Sequence, residues 1–158
     1  MLDQAMNIHT HYITLRRKLI SILPYAEVIH VGSTAILGIK TKGDLDINVR
    51  VNKRDFSKTL TAIKKLGYHE KNGTLQTNTL RHFKPDKEID LDVAIQVTVY
   101  GSKFDVFVLF GEILRHNKNA KMEYQKIKSL YGKISDVEYR EKKSRVINKY
   151  LGKVVKLV

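Results

Sequence analysis

The chain has 158 residues, enough for one hydrophobic core and too few for two of ordinary size, so a single domain over residues 1–158 is expected. It has no cysteine, no run of about eighteen apolar residues and no charged-then-apolar start (it opens MLDQAMNIHT), which excludes disulfides and thiolate metal sites and predicts a cytoplasmic protein with no membrane partner. The net charge is +13, and residues 113–158 carry thirteen Lys and Arg against four Asp and Glu, a local balance of +9 that attracts polyanions or else only solvates two helices.

Residues 8–23 set Ile13, Leu15, Leu19, Ile20 and Leu23 near helical spacing, with Pro24 as the stop. Residues 26–31 read as a short buried strand running into Gly32-Ser33. Residues 44–51 (DLDINVRV) alternate, with Leu45, Ile47, Val49 and Val51 on one face and Asp44, Asp46, Asn48 and Arg50 on the other, the pattern of a strand with a polar face. Asp55 is the expected N-cap of a helix with the stripe Phe56, Leu60, Ile63 and Leu66, and Gly67 suits its C′ position.

Residues 73–84 predict a strand or hairpin arm. Residues 88–100 predict a second alternating strand, with Ile89, Leu91, Val93, Ile95, Val97 and Val99 toward the core and Asp90, Asp92, Ala94, Gln96 and Thr98 opposite. Beyond Gly101 the pattern turns helical. Ser102-x-x-Asp105 resembles a capping box, and Ser135-x-x-Glu138 is a proper one, opening a helix that ends near Gly152. Between them, residues 119–131 place Met122, Tyr124, Ile127, Leu130 and Tyr131 on a stripe closed by Gly132. The run Val106–Phe110 suits a strand by composition and a helix by its flanks. Together these elements predict an α+β fold: a small mixed β-sheet flanked by helices, with residues 102–158 as a basic helical tail packed on it.

Aspartates at i and i+2 of a strand project from one face with Cα atoms about 6.5–7 Å apart. Asp44 and Asp46 can therefore converge on divalent cations. Hard Mg2+ takes oxygen ligands together with substrate phosphates, and two such ions about 3.5–4 Å apart clamp the entering and leaving oxygens of a phosphoryl transfer. Gly32-Ser33 supplies the complementary half: the glycine lets backbone N–H groups approach a phosphate, the serine hydroxyl adds a donor, and the start of a following helix favours negative charge. Taken singly, Ser33 as an N-cap and Asp44 as a turn residue are the simpler readings. Their joint spacing favours a triphosphate lying between Gly32-Ser33 and Asp44/Asp46. The six histidines show no metal-ligand spacing, whereas Arg81 and Lys84 could reach phosphates from a strand edge.

Gly32-Ser33, ten intervening residues and Asp44-Leu45-Asp46 resemble the signature of the DNA polymerase β-like nucleotidyltransferase superfamily. Within it the chain is more similar to the GrpB family, whose His-x-Gly-Ser-Thr-Ala-x-x-Gly stretch, lysine and Asp-Ile strand are matched by His30, Gly32, Ser33, Thr34, Ala35, Gly38, Lys42, Asp46 and Ile47. The likeness continues in Leu66-Gly67-Tyr68, in Arg81, Phe83 and Lys84, in Tyr124 and Lys128, and in Tyr139, Lys143, Val146 and Ile147, so that residues 10–151 are covered. Two departures stand out. Family members usually carry an apolar residue where this chain has Asp44 and a proline for Gly43, and their His-Leu-His-Val strand aligns with Ala94-Ile95-Gln96-Val97.

The resemblance implies a nucleotidyltransferase-like fold and a metal-dependent transfer of an NMP group, AMP from ATP, to a hydroxyl acceptor. The implied cofactor is Mg2+, two ions in an active enzyme, with Mn2+ as a substitute. It assigns Gly32, Ser33, Thr34, Lys42, Arg81, Lys84 and Lys143 to nucleotide and phosphate binding. Asp44, Asp46 and a third carboxylate would be the catalytic metal ligands. Asp92 is favoured for the third place, with Asp90 and Gln96 as alternatives. The partner is a nucleoside triphosphate, and the acceptor is a small molecule, an RNA or a protein, RNA being reached through the basic C-terminal helices. The alternative is a non-catalytic nucleotide- or RNA-binding module of the same fold.

Overall fold

A computed structural model describes residues 2–87 and 90–152. Helix α1 spans Leu2–Ile22, strand β1 Glu27–Val31, β2 Leu45–Val51, helix α2 Phe56–Lys65, strands β3 Tyr68–Glu70, β4 Leu80–Pro85 and β5 Val93–Val99, and helices α3 Phe107–His116, α4 Lys118–Lys128 and α5 Asp136–Leu151. Among the described residues, no helix is long and apolar enough to cross a membrane.

The five strands form one mixed sheet in the order β1-β2-β5-β4-β3. β2 and β5 pair in parallel at its centre, and the other neighbours are antiparallel. Alternation along the two central strands sorts their side chains. Leu45, Ile47, Val49, Val93, Ile95 and Val97 point to a face covered by α1 and α2, through Leu19, Leu23, Phe56 and Ile63. Each such side chain contributes about 1.5–3 kcal/mol when fully removed from water.

The opposite face is also covered. Asn48, Gln96 and Thr98 are buried on it, and Asn48 Nδ2 donates to the Gln96 carbonyl (2.9 Å) and to Thr98 Oγ1 (3.0 Å), tying β2 to β5. Helices α3–α5 carry the second core, in which Phe110, Leu114, Ala120, Tyr124 and Ile147 pack with Ile36 and Ile39 of the β1–β2 loop. The chemistry-bearing face of the sheet is thus roofed by the basic helices.

Several sequence expectations change. The strand expected over residues 88–100 begins at Val93, so Asp90 and Asp92 precede it; Glu88 and Ile89 lie outside the described residues. Strand β3 carries no sequence signal, because three residues are too few to set up an alternation. Asp55 stands at the N-cap of α2 but makes no capping bond, its carboxylate pairing with Lys58 (2.7 Å) instead. Ser102-x-x-Asp105 is not a cap either. Asp105 accepts from Arg50 Nε (2.7 Å) and Nη2 (2.8 Å) and from the Gly101 N–H (3.0 Å), and helix α3 starts two residues later, so that of the run Val106–Phe110 all but the N-cap Val106 is helical. On α4, Ala120 and Tyr124 face the core while Met122 is exposed, as is Tyr131 beyond the helix end, so the buried stripe is rotated from the one expected. The Ser135 cap is present, with Oγ accepting from the Glu138 N–H (3.2 Å), and Gly152 ends α5 at φ +65°.

Candidate functional site

The site is built where β1 turns toward β2. Gly32 has φ +77° and ψ −171°, and a Cβ on it would stand 3.0 Å from Asp46 Cβ and nearer still to the carboxylate. Only glycine lets the Asp46 side chain lie on this backbone. The next three residues, Ser33–Ala35, form a single 3-10 turn rather than the helix expected after Gly-Ser, so the helix N-terminus expected at this turn is not formed.

Ser33 and Thr34 hold the turn in place. Ser33 Oγ donates to Thr41 Oγ1 (3.1 Å), which also accepts from the Gly43 N–H (3.0 Å), and Thr34 Oγ1 donates to the Asp44 carbonyl (2.9 Å). Because the one hydroxyl proton of Thr34 is committed there, His30 Nε2, 2.9 Å away, is the donor to Thr34 Oγ1. A neutral ring suits this role, and burial, helped by His9 and Arg115, pushes His30 down to about 4. Both hydroxyls expected to meet a phosphate therefore serve to weld the glycine turn to the segment that delivers Asp44.

Asp44 and Asp46 share the covered face. Asp44 Oδ1 is buried without a partner, and its Oδ2 lies 3.5 Å from Lys42 Nζ. Asp46 Oδ1 accepts from Gln96 Nε2 (3.2 Å). Burial first, and then the like charge of Asp44, push the Asp46 pKa above the ordinary carboxylate range against the opposing pull of Lys143, Gln96 and Lys84. Asp92 sits just before β5, where Lys42 (3.2 Å) and Lys84 both bond its carboxylate. Burial would raise its pKa, but Lys84 and Lys42 outweigh that and hold it low. Lys42 is raised in turn, Asp44 and Asp92 overriding the effect of burial.

Above these acids a cleft of about 370 Å³ lies between the sheet and α3–α5. Five cations line it: Lys42, Lys71, Lys128, Arg140 and Lys143. Burial, and then the neighbouring Lys143, depress Lys128, while burial and Lys84 depress Lys71. Burial is the larger cause of both changes, and the neighbouring cations add a repulsion that an anionic ligand would relieve.

Of the residues expected at the site, Gly32, Lys42, Asp44, Asp46 and Lys143 meet at this cleft, and Asp92 and Lys84 join it through Lys42. Arg81 does not, being bonded to the Leu80 carbonyl (3.2 Å) and 3.5 Å from Glu70. Among the described residues, no group of three or more His, Cys, Asp or Glu is placed to hold a metal ion. Lys71, His82 and Arg140 also line the cleft, and sequence reasoning does not single them out. A signal exists for two of them, since His82 alternates with Lys84 on β4 and Arg140 lies three residues before Lys143 on the same helix.

Residues 3–153 match the protein family described as GrpB protein. The chain belongs to the GrpB family. A UPF0157 protein of Vibrio cholerae serotype O1 is 37% identical over 132 residues, covering 84% of this chain and 69% of the relative. The crystal structure of the conserved protein GrpB from Enterococcus faecalis superposes with a TM-score of 0.66 at 16% identity, over 91% of this chain and 94% of that one. The Cid1 poly(U) polymerase, solved with MgGTP, superposes with a TM-score of 0.53 at 16% identity, over 79% of this chain and 40% of that one. At such identities the likeness to both solved structures is one of fold alone.

Proposed function

We propose that this protein is a metal-dependent nucleotidyltransferase that binds a nucleoside triphosphate, ATP foremost, as its Mg2+ complex and transfers the NMP group to a hydroxyl acceptor. One observation carries the reading: the Asp46 carboxylate rests on the bare Gly32 backbone beside Asp44, at the foot of a cleft ringed by cations. The Cid1 structures add support, since that polymerase was solved with MgGTP and, as a mutant, with MgATP.

The donor set fits a hard cation. Asp44 Oδ1 is a buried oxygen without a partner, and Asp46 adds a second carboxylate on the same strand face. Two carboxylates suit one Mg2+ better than two. Mg2+ held by Asp44 and Asp46 supplies neutralisation of phosphate charge and a fixed orientation for the phosphates. The remaining work falls to the chain. Lys42, Lys128, Arg140 and Lys143 bond phosphate oxygens, and Lys42 exchanges its carboxylate partners for one of them. We assign Asp92, together with Lys84, to holding Lys42 at the cleft. In the transfer, the acceptor oxygen bonds to the α-phosphorus, the bond from that phosphorus to the oxygen bridging the β-phosphate breaks, pyrophosphate leaves, and the hydroxyl proton passes to water.

The cations of α4 and α5 surround the cleft itself, so we assign them to nucleotide phosphates ahead of an RNA groove. Since sheet and helices wall this cleft together, we also propose that they form one domain. Calorimetric titration with MgATP tests the reading: Asp46→Asn should weaken binding by about tenfold or more, which corresponds to 1.4 kcal/mol. Equal affinity in both proteins, or no binding in either, sinks it. A second reading, a nucleotide-binding module without turnover, is favoured by Gln96, an amide where a third carboxylate would complete a two-ion site. Transfer of an α-phosphate label from ATP to any acceptor eliminates that second reading.

A further inference from the structure

One stretch of the cleft lining carries no formal charge, and we refer to it as the inner end. Val106, Phe107, Phe110 and Leu114 wall it on the α3 side, facing Gln96 of β5 and His82 of β4. Gln96 and His82 are directly paired across the two strands, so their side chains stand next to each other on this face. His82 is set edge-on to Phe107, with ring centroids 6.5 Å apart. Each of the two polar residues ends in one buried atom without a partner, Gln96 Oε1 and His82 Nε2.

The orientation of the Gln96 amide is fixed by its neighbour. Nε2 donates to Asp46 Oδ1 (3.2 Å), which leaves Oε1 on the other side of the carboxamide. That oxygen can be satisfied only by a donor. His82 beside it is uncharged, because burial and nearby Lys71 push it down to about 4. These walls thus combine aromatic and aliphatic surface with two neutral hydrogen-bonding atoms, while the lysines and the arginine of the lining carry the positive charge.

We infer that this inner end is the acceptor subsite of the nucleotidyltransferase proposed above, on which reading it rests, and that it takes an uncharged, ring-bearing hydroxyl compound whose O–H donates to Gln96 Oε1. Position separates an acceptor from a nucleobase. Oε1 is one carboxamide's width from the nitrogen that touches Asp46, so a hydroxyl held there lies beside the cation site, where an attacking oxygen has to be. A nucleobase stands a ribose away from its own α-phosphorus and belongs elsewhere. Charge separates the classes of acceptor. A polycation would meet five cations in the same cleft and find neutral His82 in place of a carboxylate, and a polyanion would leave the aromatic wall uncovered. A free small molecule and the terminal nucleoside of an RNA present the same chemistry.

The test is an NMR titration of the isotope-labelled full chain with Mg2+ and tripolyphosphate present. The probes are phenol, cyclohexanol, adenosine, a pentanucleotide with a free 3′ hydroxyl, and spermidine. The expected result is saturable shifts of the Gln96 side-chain amide and the Phe107 ring with at least one ring-bearing hydroxyl probe. Phe107→Ala should weaken this binding by about tenfold and leave MgATP affinity within about twofold. A response to the free compounds points to a small-molecule acceptor, and a response to the pentanucleotide alone points to an RNA end. No shift with any ring-bearing hydroxyl, or a larger one with spermidine, overturns the inference, and the wild-type titration decides this even if Phe107→Ala does not fold. MgATP binding without probe binding removes the subsite and leaves the nucleotide reading standing. Probe binding without MgATP binding removes the nucleotide reading, and with it the acceptor assignment.

Discussion

Gly32→Ala puts the physical basis of the site to the sharpest test. At φ +77° and ψ −171° the residue occupies backbone space essentially reserved for glycine, and any other residue there costs on the order of 1–3 kcal/mol. The added methyl would also meet the Asp46 side chain, 3.0 Å from its Cβ, so the carboxylate must turn away and lose the Gln96 bond. Disturbing a buried, bonded carboxylate adds roughly 1–2 kcal/mol. The expected destabilisation is about 2–5 kcal/mol, large against a typical total of about 5–15 kcal/mol. Urea unfolding of the wild type, Gly32→Ala, Asp46→Ala and the double variant measures both parts. Asp46→Ala removes the collision and leaves the backbone strain, so the cycle should return a coupling of about 1–2 kcal/mol. A Gly32→Ala variant within about 0.5 kcal/mol of wild type, or a strictly additive cycle, refutes the reasoning.

Asp46→Asn should stabilise the ligand-free protein at neutral pH, on the order of 1 kcal/mol in urea unfolding, because burial and Asp44 both oppose its charge; a loss of stability would contradict this. Gln96→Asp should raise the number of Mn2+ ions bound per chain from one to two in the presence of ATP, counted by electron paramagnetic resonance, and an unchanged count would mean that residue 96 does not stand at the third ligand position. Lys143→Met should weaken tripolyphosphate binding about tenfold or more in calorimetry, as expected when a charge-assisted bond worth roughly 1.5–3 kcal/mol is lost. The protein should lose stability as pH falls from 7 toward 4. His30 and His82 are held near 4 when folded and return toward 6.5 when unfolded, so the unfolded state binds more protons in that window. At pH 5 each costs on the order of 1–2 kcal/mol once partial exposure is allowed for. A His82→Leu variant whose stability varies with pH between 7 and 5 as steeply as the wild type's would contradict this.

The two central strands and the glycine-aspartate pairing are readable because each depends on local pattern: alternation in β2 and β5, and a fixed spacing from Gly32 to Asp46. The partner of Asp46 on the next strand is not. Register sets it, and parallel pairing of Asp46 with Ala94 brings Gln96, rather than Asp92, within reach of its carboxylate. Leu91 and Val93 continue the alternation on paper, but Lys42 and Lys84 hold Asp92 ahead of the strand start. Asp105 reads as a cap for a related reason, since its partner Arg50 lies on a strand 55 residues earlier and prevails over a local bond. Arg81, by contrast, alternates out of phase with His82 and Lys84 on β4, so its absence from the cleft is legible in the sequence. Ser33 and Thr34 resemble phosphate donors in the sequence because their hydroxyl partners, Thr41 and the Asp44 carbonyl, come from the loop that folds back on them.

The central claim is that Asp44 and Asp46 hold a divalent cation together with a nucleotide. Crystals grown with Mn2+ and a non-hydrolysable ATP analogue, measured at the manganese absorption edge, test it directly. The expected result is an anomalous peak about 2.1 Å from carboxylate oxygens of both aspartates, with the phosphates toward Lys128 and Lys143. A nucleotide bound away from these residues, or an ion that touches neither carboxylate, would contradict it.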